Sequence, residues 1–248
     1  MTSKAVTPAA GGEPRENAMF DVDAVAFDLD GTLLDTVHDL AAAINALLID
    51  EGLAPLPKAT VRDLIGKGIE NLIARAVALR RGEEPAQADM PRLLERYFGL
   101  YDQILGRDSA PFPGVVDGLA QLARGGIPLA VVTNKVSRFI RPHLERAAID
   151  HHFHTLVGGD DLPQKKPHAA PLLAAAARMN VAPARMLMVG DSANDVAAAR
   201  AAGCPVVVVP YGYREGIAVQ ALRGDGIVDS IVDVANGIAA RRRTESLP

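Results

Sequence analysis

Short apolar runs and helical stretches alternate along most of this chain. Val22 to Phe27 is continuous enough to read as a buried strand. Ile127 to Val132, Thr155 to Val157, Met186 to Val189 and Val206 to Val209 repeat that pattern, with a shorter strand near Ile227 and Val228. Between them the spacing predicts helices over Val115–Arg124, Arg138–Ala148, Ala169–Met179 and Asn194–Ala202, and a last one over Ile231–Ala240. Strand and helix in alternation is the signature of a parallel sheet, so the fold class is α/β.

One stretch breaks the alternation. From Thr36 to Ser109 no strand is evident. Leu40, Ala43, Ile44, Leu47 and Leu48 mark a first helix stopping near Gly52, and Leu72, Ile73, Ala76 and Val77 mark another over Ile69–Arg81. Leu93, Leu94, Tyr97, Phe98 and Tyr101 are the apolar side of a helix from Pro85 to Leu105. Thr36 with Asp39, and Thr60 with Asp63, have the spacing of capping boxes. The chain thus divides into an α/β core of residues 19–36 and 110–241 and a helical insert of 37–109. Residues 1–18, rich in Ala, Gly and Pro, read as a disordered extension, and 242–248 as a polar tail.

Composition narrows the class. The chain has 248 residues, is 49% apolar, and carries a net charge of −4 with its charges mixed, so no basic field invites nucleic acid. No apolar run nears the roughly 20 residues of a membrane span, and no secretory leader is evident. A single cysteine, Cys204, excludes an intrachain disulfide and suits a reducing compartment, so a cytoplasmic location is expected. Whether the chain is a monomer or a homodimer is left open by composition.

Four strand ends carry chemistry. The first strand closes in Asp28-Leu29-Asp30-Gly31-Thr32-Leu33-Leu34-Asp35-Thr36. Two carboxylates there either cap a turn or, being costly to bury unpaired, hold a cation. The second predicted strand ends in Thr133-Asn134-Lys135, whose hydroxyl and amide either cap the next turn or donate to a phosphate. Gln164-Lys165-Lys166-Pro167-His168 opens a helix, and Val189-Gly190-Asp191-Ser192-Ala193-Asn194-Asp195 follows an apolar strand and opens another. Ser192 and Asp195 form a capping box by spacing. His151, His152 and His154 lack a carboxylate or cysteine at ligand spacing and read as a polar loop. Arg241 to Arg243 read as a solvated helix end, and Tyr211 to Gly216 as a flexible loop that either touches the insert or substrate or stays free.

In this order, at these strand ends, the four stretches resemble the motifs of the haloacid dehalogenase-like phosphohydrolases. The resemblance spans nearly all of residues 22 to 240. It implies a Rossmann-like parallel-sheet core with helices on both faces and an all-helical cap inserted after the first strand. It implies that Asp28 is a nucleophile forming an aspartyl phosphate and Asp30 a general acid and base. An acid two residues after the nucleophile fits the family's phosphatases and phosphomutases; its dehalogenases lack one. Thr133 and Asn134 are then expected on the phosphate, with Lys166, the lysine directly before proline. Mg²⁺ is expected on Asp28, the carbonyl of Asp30 and Asp191, with Asp195 reaching a metal water or Lys166. Ala169 departs from the pattern, which more often has proline there.

The Leu-Leu-Asp-Thr, Thr-Asn-Lys and Lys-Lys-Pro-His forms are similar to those of bacterial phosphoglycolate phosphatases, which makes a small phosphorylated substrate the expected partner. Other small phosphate esters, such as sugar phosphates, and phosphomutase chemistry are the alternatives. Gly66-Lys67-Gly68 is either a surface hinge or a loop in which Lys67 reaches a substrate carboxylate.

Overall fold

The structure is a computed structural model that describes residues 20–245. The expected 1–18 extension and the last three residues of the chain lie outside the described residues. β1 (Ala24–Phe27) is followed by a short β2 (Leu34–Asp35) and then by four helices, α1 (Val37–Asp50), α2 (Lys58–Arg62), α3 (Ile69–Arg81) and α4 (Met90–Ile104). β3 (Ala110–Pro111) brings the chain back beside β2. Alternation follows: α5 (Val115–Arg124), β4 (Leu129–Val132), α6 (Ile140–Arg146), β5 (Thr155–Val157), α7 (Ala170–Arg178), β6 (Met186–Gly190), α8 (Ala193–Ala202), β7 (Val206–Val208), β8 (Gly226–Ile227) and α9 (Ile231–Glu245).

Six strands form one sheet in the order β5-β4-β1-β6-β7-β8, with every neighbour pair parallel. Renumbered within the sheet, this is the doubly wound order 3-2-1-4-5-6, whose reversal lies between β1 and β6. Ligands of such sheets bind outside the strand ends at that reversal. The ends of β1 and β6 lead into Asp28 and Asp191.

Successive strand residues face opposite sides of a sheet. Val25, Phe27, Leu129, Val131, Leu187 and Val189 accordingly join one apolar cluster with residues of α5, α6 and α9. Ala24, Ala26, Ala130, Val132, Met186 and Met188 join another with residues of α7 and α8. The helices α1 to α4 bury a third cluster of their own, to which the core lends Phe139 and Tyr213. Among the described residues no helix is long and apolar enough to cross a membrane.

Several local expectations are corrected. Thr36 does stand before α1, but Asp39 makes no capping box: it is buried and accepts hydrogen bonds from the amides of Gly106 (2.6 Å) and Asp108 (2.9 Å), and from the Ser109 hydroxyl. It thereby pins the returning chain to α1. Thr60 lies inside α2, whose preceding residue is Pro57, so it caps nothing. The predicted Pro85–Leu105 helix begins later, with a 3-10 turn over Gln87–Asp89 and Pro91 in the first turn of α4, where a missing N–H costs nothing. α9 runs through Glu245, past the point where a polar tail was expected to begin.

Candidate active site

β1 delivers two carboxylates on one side because Leu29, between them, turns into the core and is fully buried. Gly31 then takes a positive φ of 90° and leaves the strand beneath Asp191; a Cβ on Gly31 would sit 2.5 Å from Asp191 Oδ2.

Asp28 Oδ1 accepts from the Leu29 amide at 2.7 Å and lies 3.1 Å from Lys166 Nζ. Lys166 is 2% exposed, and its ammonium also meets Asp195 Oδ1 at 2.6 Å and the Val132 carbonyl at 2.7 Å. Burial would lower the pKa of this lysine, yet Asp195 and Asp28 outweigh it and hold the ammonium above its ordinary value. Burial pushes the Asp28 carboxyl up to about 6; Lys166 opposes that rise, Asp195 adds to it, and a hydrogen bond with Thr133 opposes it.

Asp195 does two jobs. Its Oδ2 takes the Ser192 amide (3.0 Å) and hydroxyl (2.7 Å), the expected capping box of α8, while its Oδ1 holds Lys166. The capping box and the contact to Lys166 are thus compatible and coexist.

Ligand oxygens of Asp28, Asp191 and Asp195 all lie within 4.8 Å of one another. Asp191 is 1% exposed and is held by the Thr32 hydroxyl (2.8 Å) and the Tyr213 amide. Burial, then Asp195 and Asp28, raise its carboxyl well above the ordinary range. Three carboxylates face one ammonium here, so the donor set is short of positive charge. Hard oxygen ligands at such a spacing fit a divalent cation.

Beside these residues a cavity opens between the sheet end and the helices α1, α3 and α4. It leaves about 60 Å³ to the centres of water-sized spheres. Asp28, Asp30, Thr133, Asn134 and Lys135 form its polar end; Leu40, Ile65, Ile69, Leu72, Phe98 and Phe139 are among its apolar walls.

Lys135, the last residue of the Thr133-Asn134-Lys135 stretch, has no role that the sequence pattern assigns. It is 8% exposed, and its ammonium lies 3.1 Å from Asp30 Oδ1 and donates to the Tyr101 hydroxyl at 2.7 Å. Burial would raise the Asp30 carboxyl, but the Lys135 ammonium outweighs it and leaves it below its usual value. The signal that could have found Lys135 is its position, two residues past Thr133 at the same strand end.

Two expected ligands are placed differently. Asn134 lines the cavity, yet both hydrogens of its amide are directed to carbonyls, that of Gly66 at 3.0 Å and that of Lys166 at 2.9 Å. It ties the Gly66 loop to the Lys166 segment. Lys67 does not line the cavity: its ammonium lies 2.9 Å from Glu215 and its side chain is 47% exposed. The flanking glycines turn it outward, toward the loop after β7.

That loop is the other feature undervalued from sequence. Tyr213 is 2% exposed, and its phenol oxygen accepts from the amides of Thr36 (2.7 Å) and Val37 (2.9 Å) while donating to Asp35 (2.6 Å). It caps α1 in place of a local side chain. Arg62 donates to the carbonyls of Tyr211 and Gly212, and Glu215 pairs with Lys67 and Arg75, so the loop straps the helices to the sheet end.

A carboxylate pair and a buried lysine thus stand under a helical insert at the switch point of a doubly wound sheet, where such α/β folds bind their ligands. The family model of the haloacid dehalogenase-like hydrolases matches residues 25–209, and the chain belongs to that family. A phosphoglycolate phosphatase of Nitrosospira multiformis is 46% identical over 212 residues, 86% of this chain and 93% of that protein. One of Escherichia coli K12 is 40% identical over 237 residues, 88% and 93% of the two chains. The crystal structure of a predicted phosphoglycolate phosphatase from Haemophilus somnus superposes with a TM-score of 0.82 at 35% identity, covering 87% of this chain and 97% of that one.

Proposed function

We propose that this chain is a Mg²⁺-dependent phosphomonoester hydrolase that converts 2-phosphoglycolate to glycolate and phosphate. The observation that carries the reading is the convergence of Asp28, Asp30 and Thr133 on one end of a small cavity, with Lys166 held against Asp28. The identity to phosphoglycolate phosphatases over most of the chain supports the substrate.

An oxygen of Asp28 attacks phosphorus, and the bond from phosphorus to the ester oxygen breaks. Lys135 keeps Asp30 ionised in the free protein, so Asp30 takes up a proton from solvent as the negative phosphoryl group enters beside it, then gives that proton to the ester oxygen, and glycolate leaves. Asp30 then takes a proton from water, whose oxygen attacks the phosphorus of the aspartyl phosphate. The bond to Asp28 breaks and phosphate departs with the nucleophile restored. Lys166 holds Asp28 in place and balances the charge of the incoming phosphoryl group, which Thr133 receives through its hydroxyl. Asp28, Asp191 and the carbonyl of Asp30 would hold Mg²⁺, which when bound neutralises the negative charge gathered there. The helices α1 to α4 act as a cap that excludes water while Asp28 attacks. The cytoplasm suits a chain whose one cysteine is buried and unpaired.

Phosphate release from a panel of phosphomonoesters, wild type beside Asp28→Asn, tests this. The expected result is a sharp preference for 2-phosphoglycolate that the variant abolishes. A flat profile would remove the substrate, and activity surviving in a variant checked for reversion to Asp would remove the nucleophile.

A further inference from the structure

We propose that Lys135 reads the leaving group: its ammonium binds the substrate carboxylate beside Asp30. The assignment rests on the substrate reading above and adds to it the residue that sets specificity.

Position comes first. Among the residues that line the cavity Lys135 is the one cation. Lys166 is taken up between Asp28 and Asp195, and Lys67 lies outside against Glu215. An ammonium has three N–H donors. The two oxygens of the one Asp30 carboxylate, at 3.1 and 3.4 Å, can share one of those on Lys135, and Tyr101 takes a second at 2.7 Å, which leaves one for a ligand. The Tyr101 hydroxyl reaches it from α4, and the Tyr101 ring passes 4.8 Å from the same nitrogen. The helical insert thus steadies the lysine that the sheet supplies.

Reach comes second. An acid that protonates the ester oxygen must stand roughly 2.6–3.2 Å from it. In a phosphorylated 2-hydroxy acid the carboxylate carbon is two covalent bonds from that oxygen, each about 1.5 Å long. The carboxylate therefore falls beside the partner that Asp30 already has, which is Lys135. A leaving group whose charge lies out of reach of Lys135 would set it against apolar lining such as Ile65, Ile69, Leu72 and Phe98, where a buried ion finds no partner. One cation at this depth selects a short leaving group with a single negative charge.

The test compares 2-phosphoglycolate with ethyl phosphate, in which a methyl group replaces the carboxylate. The readout is the ratio of the two kcat/KM values within each protein, which does not depend on how much of a variant is folded. Lys135→Met is expected to lower that ratio roughly 10–150-fold, the span covered by losing a hydrogen bond to a charged group. Lys135→Arg is expected to keep most of it. Lys135→Gln gives the same comparison if the Met variant does not fold. A ratio that Lys135→Met and Lys135→Gln leave at the wild-type value overturns the assignment, even if both rates fall. A wild type with no preference between the two esters would instead overturn the substrate reading itself, so the two failures are told apart.

Discussion

Lys166 Nζ and Asp195 Oδ1 stand 2.6 Å apart, with 1% and none of their side-chain surfaces exposed. The pair joins the start of α8 to the residue that also meets Asp28 at 3.1 Å. A buried pair contributes little net stability, but breaking one from a single side costs about 3–5 kcal/mol. Asp195→Asn leaves the ammonium Asp28 as its only carboxylate, beside the Val132 carbonyl, and weakens the cap on the Ser192 amide. We expect the melting temperature to fall by roughly 6–12 °C, the shift of a chain this size for about 3 kcal/mol. Phosphate release should fall about 10²-fold as Lys166 drifts from Asp28. Melting by circular dichroism with an activity assay on the same sample checks both; an unchanged melt would show that the pair is not rigid.

The strand-end chemistry was legible because its signal is local. Met186 to Gly190 is apolar and Asp191 is not, so the end of the strand and the candidate ligand are read from the same five or six residues. α3 was placed over Ile69–Arg81, where it is found, because four buried residues recur at helical spacing. The misplaced features depend on partners far along the chain. Thr36 and Asp39 have the spacing of a capping box, but the groups Asp39 satisfies arrive from residues 67 to 70 positions later. Lys67 and Lys135 both lie in loops beside the site; which one faces inward is decided by Tyr101 and Glu215, and no local pattern encodes that. β2 and β3, two residues each, are too short to show alternation.

Removal of the divalent ion is the next test. Chelation should abolish phosphate release and Mg²⁺ should restore it, and Mg²⁺ at 100 times its dissociation constant should add about 2.7 kcal/mol of stability. That gain should depend on pH. Burial raises Asp28 to about 6 in the folded chain, against an ordinary value of 3.8. A carboxyl raised on folding contributes stability that is present at low pH and lost as pH rises through the folded value. The metal-free protein loses it there, and the ion competes with the proton for the same oxygen. The Mg²⁺-induced rise in melting temperature should therefore grow from about pH 5 to about pH 7.5. A rise that shrank over that interval would place the ion elsewhere.

Tyr213→Phe isolates the strap. The variant keeps the ring, which packs in the helical cluster, and loses the oxygen that takes the Thr36 and Val37 amides. Leaving buried donors without an acceptor costs about 1–3 kcal/mol. Hydrogen exchange of those two amides should quicken in the variant while amides of β6 keep their protection. Exchange that stayed as slow as in the wild type would mean that another group caps α1.

His143 sits on α6 with 1% of its surface exposed, and neither ring nitrogen has a hydrogen-bond partner. The charges around it are mixed, Lys135 and Arg146 against Asp30 and Asp39, and burial dominates, lowering its pKa to about 3. A group depressed from 6.5 to about 3 on folding contributes stability that is complete above pH 6.5 and is lost as pH falls toward the folded value. The slope within that window approaches about 1.4 kcal/mol per pH unit. His143→Leu fills the same space without a proton to bind and removes two buried nitrogens that are unpaired. Its melting temperature should match or exceed that of the wild type at neutral pH, and the gap should widen on acidification. Parallel melting curves for the two proteins across that interval would show instead that the wild-type imidazole is hydrated or paired.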